Sequence, residues 1–122
     1  MTHPENISAN IDFQRALDLL AAGDPAQAAS AFRAVLAADP GHIDAHHGLV
    51  RALGDAGRYE AAVGAALALT ALTPHDPLAH TALSIALQRG GHKAEAEAAS
   101  ARARILEWKL QLASPDPEAP QP

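Results

Sequence analysis

Apolar positions along this chain recur at two nested periods. Phe13, Ala16, Leu17 and Leu20 are spaced three and four apart, the signature of one buried helix face, and Gly23 ends that helix. Asp24 and Pro25 then supply an N-cap and a first helical residue that needs no N–H, and Gln27 stands at capping-box spacing. Ala28, Ala31, Phe32, Val35 and Leu36 predict a second helix, which Pro40 prevents from continuing. The longer period is 34 residues: Gly23, Gly57 and Gly91 share one column, Ala28, Ala62 and Ala96 a second, Leu19, Leu53 and Leu87 a third, and Pro40 and Pro74 a fourth. Recurrence at this length predicts a stack of two-helix units, none of which buries its own apolar face alone.

Three such units are expected at residues 9–42, 43–76 and 77–110. The second carries Leu49, Leu53, Gly57, Ala62, Ala66, Leu69 and Pro74, and the third opens on Asp76-Pro77 and continues through Leu83, Leu87, Gly91, Ala96 and Ala103. Residues 1–8 read as a flexible N-terminal arm, and 111–122 as a helix end followed by a disordered proline-rich tail. The last helix has no stop signal between Lys93 and Ala113, which makes it about 31 Å long at 1.5 Å per residue.

Composition narrows the class. At 122 residues the chain makes one elongated domain, and 31 alanines against four aromatic residues (Phe13, Phe32, Tyr59, Trp108) suit thin, close helix packing. The chain has no cysteine, which excludes disulfides, thiolate catalysis and Cys-ligated zinc. Its start has no basic stretch followed by an apolar run, and no apolar run reaches the length of a membrane span, so a cytoplasmic protein without a membrane partner is expected. The net charge is −5, with nine acidic and four basic groups in residues 1–76 but three acidic and five basic in 77–110. That distribution gives no basic stripe for a phosphate backbone, so no nucleic-acid partner is expected.

The residues that carry the repeat resemble the tetratricopeptide repeat family over residues 9–110. The Leu-small-x-x-large segment stands as Leu49 to Leu53 and Leu83 to Leu87, and Ala-x-x-x-Phe as Ala28 to Phe32, thinned to Ala62 to Ala66 and Ala96 to Ser100. The family's leading aromatic is replaced by Asp12, His46 and His80. The resemblance implies an all-α fold, an α-solenoid of three helix-turn-helix repeats wound into a right-handed superhelix with an extended C-terminal helix. It implies an adaptor whose concave groove grips a peptide or helix of another protein. The groove positions carried over are Asn10, Phe13 and Leu17, then Asp44, His47 and Arg51, then Leu78, Thr81, Ile85 and Arg89. The expected ligand has apolar anchors and a carboxylate for Arg51 or Arg89; the alternative is that Leu17 and Ile85 pack between repeats and the arginines are only solvated. Members that clamp the terminal carboxylate of chaperones place Lys, Asn and Arg where this chain has Phe13, Leu17, Gly48, Leu78 and Ala82, so that clamp is missing.

Two further features raise candidate chemistry. Ile105, Trp108 and Leu112 form an apolar row near the C-terminal end that a closing helix ordinarily covers. Either Trp108 folds back on Leu83 or Leu87, or the row is a contact surface for a partner or for a second copy, making a self-associating scaffold the alternative function. The seven histidines include His42, His46 and His47, with His75 and His80 near the equivalent place one repeat on. A histidine metal site is a minor alternative; half-buried neutral imidazoles filling the place of the lost aromatic are the simpler expectation, and no cofactor is expected. The sequence has no G-x-S-x-G, P-loop, G-x-G-x-x-G or HExxH, so no catalytic residues are expected either.

Overall fold

A computed structural model describes the backbone of residues 4–113 and the side chains of residues 8–113. Six helices follow in order: α1 Pro4–Ala21, α2 Pro25–Ala38, α3 Ile43–Asp55, α4 Tyr59–Leu72, α5 Pro77–Arg89 and α6 Lys93–Ala113. Each helix packs on the next, and α3 also touches α1 and α5, so the first helices of the repeats line one wall while α2, α4 and α6 form the other. The chain is an α-solenoid of three helix-turn-helix repeats.

The turns explain the period. Gly23, Gly57 and Gly91 take φ of +82°, +78° and +84°, a left-handed conformation that an L side chain strains. Each turn is closed the same way: Asp24 N–H donates to Leu19 O, Arg58 N–H to Leu53 O and His92 N–H to Leu87 O, at 3.0, 2.9 and 2.8 Å. This is the six-to-one bond of a Schellman end. The starts of α2, α3 and α5 are capped by side chains as well. The Asp24 carboxylate accepts from Gln27 N–H at 3.3 Å, the Asp76 carboxylate from Leu78 N–H at 2.9 Å, and the imidazole Nδ1 of His42 from Ala45 N–H at 3.0 Å.

Alanines at 0–7% exposure fill most of the core, and Phe32, Leu53, Leu69 and Val35 are its largest fully buried side chains. Phe32 reaches across to the second repeat at Gly48, where a Cβ would sit 2.4 Å from its ring. At the first repeat the core columns are taken by residues that stay exposed, and at the last a small polar residue replaces a large apolar one. Ile11, Arg15 and Asp18 stand where the later repeats bury Ala45, Leu49 and Ala52, then Ala79, Leu83 and Ala86; Ser100 stands where the first repeat has Phe32.

One boundary differs from the sequence expectation. The expected flexible arm at residues 1–8 is helical from Pro4, because a proline at the first helical position with Glu5 beside it is a strong start. The expected disordered tail, residues 114–122, lies outside the described residues.

Candidate groove site

The groove wall is built from α3 and α5, and between them it opens into a cavity of about 400 Å³ floored by Tyr59 and Ala62 of α4. Its sides are apolar at Val50, Ala82, Ile85 and Ala86, and its rim carries His47, Arg51, Asp55 and Arg89. A shallower depression of about 430 Å³ continues along the wall past Asp44, Leu78 and Thr81 and shares His47, Ala82 and Ile85 with the first. Seven of the ten sequence-derived groove residues therefore lie together: Asp44, His47, Arg51, Leu78, Thr81, Ile85 and Arg89.

The other three do not join them. Asn10 and Leu17 are exposed on α1. Phe13 is half-buried and belongs to the core, its ring 6.0 Å from that of Phe32 and 4.7 Å from that of His42. The column comparison explains why the cavity opens at the second junction. Positions held by Phe13 and Leu20 in the first repeat, both packed on the core, are His47 and Gly54 in the second. Gly54, Asp55, Tyr59 and the alanine walls escaped the sequence reading, although that same comparison down the 34-residue columns exposes the loss of bulk at Gly54.

Charge at the rim is organised by one carboxylate. Asp55 accepts from Arg89 Nη1 at 3.0 Å and lies 3.7 Å from Arg51 Nε. Gly54 makes room for this, since a Cβ there would sit 2.6 Å from Arg89 Nη1. The Arg89 guanidinium is also 6.0 Å from the centre of the Tyr59 ring. Two guanidiniums share one carboxylate, so the rim is left with net positive charge. Arg51 is the freer of the two, 74% exposed against 40% for Arg89.

His46 and His80 take structural roles. His46 Nε2 lies 2.8 Å from Pro40 O and His80 Nε2 lies 2.9 Å from Pro74 O, the same contact one repeat apart, each tying a helix to the loop before it. Among the described residues no three histidine, aspartate or glutamate side chains converge as metal ligands would. At the C-terminal end, Trp108 does not fold back: it is 61% exposed, beside Ile105 and Leu112, which are exposed as well. No helix among the described residues is long and apolar enough to cross a membrane.

With the repeat geometry established, the tetratricopeptide repeat family model matches residues 19–86, more than half of the chain. The chain belongs to the tetratricopeptide repeat family. Solved structures of the same fold include one described as MamA MSR-1 C2, 20% identical, with a TM-score of 0.77 over 88% of this chain and 60% of that one. SycD, the type III secretion translocator chaperone of Yersinia enterocolitica, in complex with a peptide of the translocator YopD, is 20% identical with a TM-score of 0.75 over 87% of this chain and 85% of that one. The CopN–Scc3 complex contributes a chain 19% identical, with a TM-score of 0.75 over 91% of this chain and 69% of that one. This repeat chain thus spans about 60% of the length of MamA. No curated protein matches the sequence.

Proposed function

We propose that this tetratricopeptide repeat protein is a non-catalytic adaptor that holds a segment of another protein along α3 and α5. The observation that carries this reading is the junction cavity. It is apolar at the walls and cationic at the rim, and its size suits one aliphatic or aromatic side chain with space around it. A segment that seats such a side chain beside Ile85 and Val50, with an acidic residue near Arg51, satisfies both features at once. Burying the anchor supplies most of the affinity, at about 25 cal/mol per Å² of apolar surface removed from water. The exposed Arg51 adds orientation and association rate more than strength. A YopD peptide bound to SycD, on the same fold, supports peptide capture as the mode.

The test is selection of a displayed random peptide library on the full chain. Enriched peptides are expected to share an apolar residue with an acidic residue close to it. Binding of those peptides is expected to fall at least tenfold in Ile85→Glu and by less, chiefly through slower association, in Arg51→Glu, with helicity by far-UV circular dichroism unchanged. No enrichment, or peptides that bind both variants as well as the parent, would overturn the reading.

A further inference from the structure

Of the described elements α6 touches only α5, so the side of α6 turned away from α5 has no cover within the described chain. At 100° per residue, Ala94, Ala98, Ala101, Ile105, Trp108 and Leu112 fall on one strip about 80° wide and about 27 Å long. The strip is graded. Its first half is alanine, and its second half is large and exposed, Ile105 at 45%, Trp108 at 61% and Leu112 at 69%. Its borders carry charge: Lys93, Glu97 and Arg104 lie along one edge and Glu95, Arg102 and Lys109 along the other, with both glutamates beside the small half and Arg104 and Lys109 beside the large half. None of these six side chains makes an ion pair among the described residues.

We propose that this strip binds the same strip of a second copy, antiparallel, about a two-fold axis at Ala101. A two-fold contact brings one surface against itself, so it must be self-complementary, and this one matches Ile105 and Trp108 with alanines and each glutamate with a basic residue. Counted from Ala101, Ile105 lies four residues one way and Ala98 three the other, while Trp108 and Ala94 lie seven either way. Ile105 and Trp108 of each helix therefore cover the small half of its partner, while Leu112, eleven residues from Ala101, reaches past the start of the partner's α6 at Lys93 to its Gly90–Gly91 turn. An antiparallel pair also brings like edges together, which sets Glu97 against the partner's Arg104 and Glu95 against the partner's Lys109, with Arg102 near the axis beside its own copy. Parallel pairing instead opposes Glu97 to the partner's Glu95 and Arg104 to the partner's Lys109, and it stacks tryptophan on tryptophan over a gap. Alanine at the crossing lets the axes approach toward the close end of the usual range of about 8–10 Å. The pairing is independent of the groove, which lies on α3 and α5.

Sedimentation equilibrium of the full chain is expected to give twice the 12.6 kDa monomer mass. Emission from Trp108, the one tryptophan, is expected to shift to the blue as concentration rises. Glu97→Arg alone and Arg104→Glu alone are each expected to sediment as monomers, because each sets like charges across the axis. The double variant is expected to dimerise again. An equal mixture of the two single variants is also expected to dimerise, since it restores both pairings in one heterodimer. Unchanged far-UV circular dichroism shows that each variant is folded. A wild type that stays monomeric to high micromolar concentration would overturn the proposal. So would a dimer indifferent to Trp108→Ala, or folded single variants that the charge exchange does not rescue.

Discussion

Asp55 and Arg89 occupy the same position in successive repeats and meet at 3.0 Å. The first repeat has Ala21 in that column, so the contact exists only at the junction where the cavity opens. It ties the last turn of α3 to the last turn of α5 and fixes the spacing of the groove wall at its rim.

Both partners are about a third or more exposed, so the tie is modest. A double-mutant cycle of Asp55→Ala and Arg89→Ala, read by urea denaturation, is expected to give a coupling of about 0.2–1 kcal/mol that shrinks with added salt. Zero coupling at low salt would show that the two side chains do not pair in solution.

Two glycines in helix interiors have opposite expectations. Gly48→Ala forces a methyl into the buried Phe32 ring, and overpacking of this kind costs about 1–3 kcal/mol. That exceeds the gain of about 1 kcal/mol from replacing a helical glycine, so Gly48→Ala is expected to lower stability. Gly64, exposed in α4, has open space where a methyl would stand, with nothing within 4 Å, so Gly64→Ala is expected to raise stability by about 0.5–1 kcal/mol. Equal Tm shifts of the same sign would contradict the packing at Phe32.

His92 carries a pH dependence with a definite sign. Its Nε2 lies 2.7 Å from Glu60 Oε1, and the hydrogen bond and charge of Glu60 raise its pKa above the usual 6.5. A folded pKa above the unfolded one means stability that is fully present below the unfolded value and lost as pH rises through the folded one. The wild type is therefore expected to exceed Glu60→Gln in Tm at pH below the ordinary imidazole pKa, with the difference lost as pH rises through the raised folded value. Proton NMR titration of His92 checks the premise directly, and an unshifted midpoint would remove it.

The loop contacts of His46 and His80 predict a matched pair of effects. Replacing either imidazole by alanine leaves Pro40 O or Pro74 O without its partner, and a neutral hydrogen bond of this kind contributes about 0.5–1.5 kcal/mol. Both substitutions are expected to lower stability within that range. If neither changes the denaturation midpoint, the contacts contribute nothing in solution.

What the sequence determined by itself is the repeat. Glycines that must take positive φ and proline stops act over a few residues and recur every 34, and aspartate caps mark the starts of α2 and α5, so helix number, order and most ends were legible at Gly23, Gly57, Gly91, Asp24 and Asp76. The family resemblance carried the groove wall with them, since helical spacing fixes which face of α3 and α5 a residue occupies. What the tertiary structure decided is where that wall is open. Phe13 and His47 share one column, yet one ring is packed on Phe32 and His42 while the other lines a cavity. The cavity depends on Gly54 giving up the volume that Leu20 fills, and on Arg89 swinging across that gap to Asp55. Volumes lost at one position and filled from the next repeat are sums over distant side chains, and a local pattern in the chain does not carry them.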